Sequence, residues 1–382
     1  MENIRALINE LSFKTGGEYQ VFLLVEARES DCEDAIWTNK ALYDRVVAKT
    51  VPAEFIEIAH LYTERLLRTW YPAMPASSAI SGDVLEKFSW LAIQRFANLH
   101  PSFAYYWNWD LNIRFTGHYQ DLVFSLLKFA KRQPRKCLWE RNERLYIPSL
   151  HGAYETAFRD KVEAESDPDA IVWEAPVIPE LQQHGPRPPP ELAKDEHFKW
   201  GVGEDADLIS LFPIFDPTNT TWDGRNDIWG YELGASLPRR ATWGTFAVVS
   251  KVLLDLMHVE NIEGRFVNAQ MAPPTVALLH ALKAVYAPHP VWFETPWQGE
   301  DLQRFFNSGP RGEVGSGLRS SYGHSGRGSH AFWGKSSFDT ESMVGAKLWD
   351  MWMGRGLDSV SVLVSSSSKC FKERALTVYL AE

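Results

Sequence analysis

The stretch 103–119, FAYYWNWDLNIRFTGHY, limits what this chain can fold into more than any other. An aromatic run compatible with a strand stops abruptly at Asp110-Leu111-Asn112, and Arg114 and His118 follow on the same short segment. Strands covered on both faces read as unbroken apolar runs, so a polar pair at the end marks where the chain meets solvent and commonly a ligand. Asp110 and Asn112 are two positions apart, which puts both side chains on one face while the backbone stays extended. Two oxygen donors on one side suit a hard divalent cation, Mn²⁺ or Mg²⁺, and a diphosphate carried by it. The other reading is that the pair caps a turn, a place Asp and Asn favour.

A chain of 382 residues can bury a large core, as one big α/β domain or two modest ones. Its formal charge of −10 argues against nucleic acid or an anionic membrane as a partner, so an anionic ligand needs a local positive patch or a metal. Cys32, Cys137 and Cys370 are widely spaced and odd in number, which predicts packed thiols rather than a disulfide framework or a zinc site. No apolar run reaches about 18 residues, and the N-terminus lacks the basic-then-apolar design of a signal peptide. The expectation is a soluble, cytoplasmic chain that takes a small-molecule substrate, with the secretory lumen as the alternative if an anchor lies upstream. The 16 Trp and 13 Tyr either line a sugar, lipid or polycyclic ligand or fill the core.

In chain order, apolar spacing predicts an amphipathic helix over 2–14 stopped by Gly16-Gly17, then a buried strand over 19–25. Short helices are expected at 38–48 and 53–59, beyond an acidic patch at Asp31, Glu33 and Asp34, and helical periodicity resumes at 61–70 and 83–99. After the 103–119 segment the pattern gives a helix over 120–131, a strand over 136–142 and a charged loop over 144–149. Glu140 and Arg141 are read there as an ion pair, structural or ligand-binding. Residues 166–199 form a Pro-rich irregular excursion within one domain spanning 1–382. Asp205 and Asp207 lead into an apolar strand within 203–212; helices follow at 245–258 and 273–282, then a short edge strand at 283–286 closed by prolines. Residues 307–329 are rich in Gly and Ser and carry Arg311, Arg319 and Arg327, which predicts a mobile loop and a candidate lid over an anion. His330 follows, with a helix expected around 341–353 and a Val-rich strand at 359–364.

The blocks at 103–119, CLWERNERLYIPSLHG at 137–152, GEDADLI at 203–209 and LKAVYAPHPVW at 282–292, with the Gly-rich loop closing in HAFWG, resemble a fungal family labelled as a domain of unknown function. Members of that family are similar to glycosyltransferases of the GT-A fold. The resemblance implies an α/β fold with a mixed, mostly parallel central sheet flanked by helices. It also implies transfer of a sugar from a nucleotide-sugar donor to a small-molecule or glycan acceptor. On that reading Asp110, Asn112 and His330 hold the metal and diphosphate, and Arg114, His118, Glu140, Arg141 and Arg319 contact phosphate or sugar. Asp205, Asp207 and Gln270 fall to the sugar or the acceptor hydroxyl.

Three departures stand against the family pattern. Asn112 brings no charge where a second carboxylate is usual. Gln270 replaces a glutamate, and an amide cannot act as a general base. The chain opens on a helix where a first strand is expected. These departures keep open a second function, a GT-A scaffold that has lost donor binding and serves natural-product biosynthesis as a cyclase or a non-catalytic binder.

Overall fold

The computed structural model describes residues 2–27, 35–76, 84–110, 113, 115, 117–169, 171–189, 199–220, 222–244, 246–289, 298–309, 312, 350–351, 353–355 and 376–381. Among these described residues nine strands occur: β1 (Gln20–Glu26), β2 (Ala59–Tyr62), β3 (Tyr105–Asp110), β4 (Leu208–Ser210), β5 (Ile228–Trp229), β6 (Phe246–Ser250), β7 (Phe266–Val267), β8 (Ala284–Tyr286) and β9 (Leu376–Ala381). β5 and β7 pair by themselves, and the others make one sheet in the order β2-β1-β9-β3-β6-β4-β8. β1, β2, β3, β4 and β8 point one way, while β6 and β9 run against their neighbours. The fold is therefore a mixed α/β sheet whose majority direction is shared although only β1–β2 and β4–β8 pair in parallel.

Side-chain parity along β3 shows how the layers are built. Phe96, on the helix Trp90–Leu99, packs on Tyr106, and Phe22 of β1 packs on Phe96 at 4.9 Å. Trp107 and Trp109 point to the opposite face, as period-two alternation requires. There Trp107 meets Tyr19 and Phe246 edge-on, and Trp109 meets Tyr119, first residue of the helix Tyr119–Arg132, at 5.1 Å. Helices thus cover both faces. Tyr106, Trp107 and Trp109 are fully buried, so this aromatic run fills the core instead of lining a ligand pocket.

Several expected elements form where periodicity placed them. The N-terminal helix Glu2–Leu7 continues as a π-helical turn, Ile8–Phe13, and ends before Gly16 and Gly17, whose φ angles of 69° and 93° suit only glycine well. The strand at 19–25 and the helix at 120–131 are present, and β8 is the edge strand. No helix or strand occurs in the described part of the 166–199 excursion.

Other expectations are corrected. The periodic stretch 245–258 opens as β6 and becomes a helix only at Lys251–Ile262, because Ser250 accepts a hydrogen bond from Leu253 N at 3.0 Å and so caps the helix start. The stretch 61–70 likewise opens inside β2. Residues 136–142 form the helix Leu138–Asn142, entered through a left-handed Cys137 with φ of 49°, and not a strand. That helix serves the sheet edge. Asn142 donates from Nδ2 to Ala284 O at 2.8 Å and accepts from Tyr286 N at 2.9 Å, covering the groups that the edge strand β8 would otherwise expose.

Cys137 is a buried free thiol, in keeping with the packing role expected of it; Cys32 and Cys370 lie outside the described residues. So do the acidic patch at 31–34, nearly all of the 307–329 loop and the strand expected at 359–364. Among the described residues no helix is long and apolar enough to cross a membrane.

Candidate functional site

Strand directions define one end of the sheet as special. β1 and its connection lead outward to β2, whereas β3 leads the opposite way to β6, β4 and β8, so the winding reverses between β1 and β3. Ligands of open α/β sheets bind beyond the carboxyl ends of strands at such a reversal. The position between them is filled by β9, which pairs with both.

Glu26 closes β1 and Asp110 closes β3 at that end. Residue 377 pairs with Leu24 on one side and with Asp110 on the other. Glu26 lies two positions beyond Leu24, so it shares a face with Asp110, the face covered by the helix Trp90–Leu99. Two strand spacings separate β1 from β3, roughly 10 Å. Glu26 was not singled out by the sequence reading, although its signal, an acid ending an apolar strand, is that of Asp110.

Gln270 reaches the same end and the same face. Thr242 N donates to Gln270 O at 2.9 Å, while the Thr242 and Ser210 hydroxyls are 2.8 Å apart at the carboxyl end of β4. Two residues on, Gly244 O accepts a hydrogen bond from Asn108 of β3. Trp90 Nε1 donates to Ala269 O at 3.0 Å, tying the 268–271 turn to the covering helix. Behind it, Asn268 Oδ1 accepts from Gln270 N, Asn268 Nδ2 donates to Asp227, and Lys87 pairs with Asp227 at 2.6 Å. This chain of polar contacts fixes the backbone of Gln270 and leaves its side-chain Oε1 buried without a hydrogen-bond partner. A buried acceptor in that condition needs an explanation, and a ligand supplies one.

The segment that leaves Asp110 is held from the N-terminus. Asn3 Nδ2 donates to Ile113 O at 2.9 Å, Tyr119 Oη donates to Asn3 Oδ1, and Glu10 Oε2 accepts from Tyr119 N at 2.6 Å. His118 is exposed just before that helix, its Nδ1 3.7 Å from Glu10 Oε1.

The remaining sequence candidates fall elsewhere. Asp207 O accepts from Ser250 N, and Ser250 pairs with Tyr105, so Asp207 stands level with the start of β3 and not with its end. The five steps between the six residues Tyr105 to Asp110 span roughly 17 Å. Asp205 and Asp207 therefore sit at the amino end of the sheet, away from Asp110 and Gln270. Asp207 is structural there: Oδ1 accepts from Ser250 Oγ at 2.7 Å and Oδ2 from Lys283 N at 3.1 Å, while burial pushes its carboxyl above the usual range. Lys283 is buried with Nζ on Gly201 O and Glu204 O, and burial lowers its ammonium to about 8. Asp205 makes an exposed ion pair with Lys131.

Glu140 and Arg141 do not pair with each other as expected. Arg141 is fully buried and spends Nη1 and Nη2 on the carbonyls of Lys136 and Pro134, and Glu140 Oε1 accepts from Val172 N. Their helix flanks β8, three strand spacings or roughly 14 Å from β3. Neither reaches the Asp110 end. Asn112, Arg114, Arg319 and His330 lie outside the described residues. Among the described residues no group of three or more His, Cys, Asp or Glu side chains is arranged to hold a metal.

A family model described as a protein of unknown function, DUF3405, matches residues 1–369. No curated protein and no solved structure matches the chain.

Proposed function

We propose, from the premise that the chain belongs to the DUF3405 family, that it is a glycosyltransferase-like protein acting on a nucleotide-sugar donor. The proposed site is the carboxyl end of β1 and β3, on the face of the helix Trp90–Leu99. One observation carries the reading: Asp110 ends the central strand β3 beside the point where the winding of the sheet reverses. A GT-A-like arrangement of the nucleotide pocket accords with that position.

The donor atoms at this end are oxygens, from Asp110, Glu26 and the Gln270 amide, and they fit Mg²⁺ or Mn²⁺ better than a softer metal. A cation bound by Asp110 would neutralise charge on a departing diphosphate. Within the chain, Asp110 orients the diphosphate end of the donor, and Gln270 Oε1 accepts a hydrogen bond from a sugar or acceptor hydroxyl. Since Gln270 is an amide, it positions that hydroxyl without taking its proton. The reading as a non-catalytic binder draws on the same amide, and the two separate on whether sugar is released from the donor.

The test is a thermal-shift series of nucleoside diphosphates and nucleotide sugars with and without Mn²⁺. Stabilisation requiring both partners, and lost in Asp110→Ala, is the expected result. Equal shifts in the wild type and the variant would remove Asp110 from the site, and no shift with any nucleotide would end the proposal.

A further inference from the structure

We infer that His184 and His280 form a binding site for a transition-metal cation of the kind that takes imidazole ligands, at the end of the sheet opposite Asp110. The two Nδ1 atoms are 3.2 Å apart. Ligand atoms of one tetrahedral zinc ion, each about 2.0–2.1 Å from the metal, are separated by about 3.4 Å. The Gln182 carbonyl stands beside both rings, 2.8 Å from His184 Nδ1 and 3.1 Å from His280 Nδ1. Three electron-rich atoms thus converge on one point.

The far side of His280 is organised to leave its Nδ1 a lone pair. His280 Nε2 faces Glu260 Oε1 at 3.4 Å, and both residues are about 2% exposed. Arg265 Nε donates to the other Glu260 oxygen at 2.5 Å, so the group facing Nε2 is an acceptor. An acceptor there takes the Nε2–H of the neutral ring, the tautomer that leaves Nδ1 a lone pair facing His184 and Gln182. Carboxylate–histidine–metal relays are built this way.

The backbone is shaped to hold the rings together. Gly185 N donates to His280 O at 2.7 Å, and a Cβ on Gly185 would meet Ala281 O at 2.3 Å, so only glycine lets the 182–185 segment lie flush on the turn. Ala281 itself adopts a left-handed φ of 57°. His280 precedes β8 at its amino end, whereas His184 is exposed and leaves the remaining coordination positions to solvent. Two imidazoles and a carbonyl select a borderline ion such as Zn²⁺ over Mg²⁺ or Mn²⁺. A metal bound here staples the irregular 171–189 segment to the core.

The test is Zn²⁺ titration of the full chain by calorimetry, with wild type, His184→Ala, Glu260→Gln and Asp110→Ala. His184 is exposed, so its removal leaves the fold intact. The wild type and Asp110→Ala are expected to bind one more equivalent of zinc than His184→Ala does, and Glu260→Gln to weaken that equivalent roughly 10–100-fold. Equal zinc stoichiometry and affinity in the wild type and His184→Ala, or no binding by the wild type at micromolar metal, overturns the inference. Retention of zinc by Asp110→Ala keeps this outcome separate from that of the nucleotide-sugar reading.

Discussion

Asp207 and Asp110 stand at opposite ends of one sheet, although both flank strands that point the same way. The carbonyl of Asp207 pairs with Ser250, which lies opposite Tyr105 at the start of β3, while Asp110 closes that strand. Acid residues beside apolar strands look alike in sequence whether they enter the strand or leave it. The difference decides their work. Asp207 ties β4, the cap of the helix Lys251–Ile262 and the approach to β8 together, and Asp110 closes β3 at the end of the proposed site.

Asp207→Ala is therefore expected to destabilise the fold and spare the site. It strips partners from Ser250 Oγ and Lys283 N, and hydrogen bonds to a charged acceptor contribute about 1.5–3 kcal/mol each. Urea denaturation should show a loss of roughly 3–6 kcal/mol, while nucleotide-dependent thermal shifts of the folded variant stay unchanged. A variant as stable as wild type would contradict the structural role.

Gln270→Leu should behave in the opposite way. Its Oε1 is buried without a hydrogen-bond partner, so removing the oxygen costs little stability and can raise it. Loss of one hydrogen bond to a ligand hydroxyl corresponds to a weakening of about tenfold. Calorimetric affinity for the nucleotide sugar is the measurement, and an unchanged value would show that the amide oxygen meets no ligand.

Stability should fall in mild acid through His151. Its Nδ1 accepts the Ile147 N–H at 3.0 Å and its Nε2 lies 3.1 Å from Gln303 Oε1, an arrangement open only to the neutral ring. Burial, with the Lys161 charge, lowers its pKa to about 4. Between the ordinary value near 6.5 and about 4 the unfolded chain takes up a proton that the folded chain refuses, so stability is whole above pH 6.5 and declines toward pH 4. His60 and His289, also lowered to about 4 chiefly by burial, add to the slope. Urea midpoints at pH 7 and pH 5 should differ less in His151→Gln than in the wild type; equal differences would remove His151 as a contributor.

Val378→Pro tests the central place of β9. Val378 pairs with Leu23 on one side and Trp109 on the other, so proline removes a ladder hydrogen bond in the middle of the sheet. A loss of about 3 kcal/mol or more is expected in chemical denaturation. A stability equal to that of the wild type would mean that β9 does not join β1 to β3.

Much of the fold was legible from local pattern. Apolar spacing located the N-terminal helix, the helix Tyr119–Arg132, β1, β3 and the edge strand β8, because a helix or a buried strand has to show its covered face in its own residues. The pattern failed where two elements abut without a turn. FAVVS and the helix after it read as one helical run, and the boundary rests on the Ser250 cap. It failed again at 136–142, where a left-handed Cys137 starts a helix on a stretch that looks like a strand.

By itself the amino-acid sequence determined that β3 ends in an acid, that the aromatic run before it is apolar enough to be buried, and that Gln270 is an amide. Only the tertiary structure decided that Glu26 and Gln270 share the end and face of Asp110, that Asp205 and Asp207 do not, and that His184 meets His280. The reason is physical: an element's periodicity records whether a face is covered, and strand order, direction and register, set by pairing between distant segments, decide which ends come together.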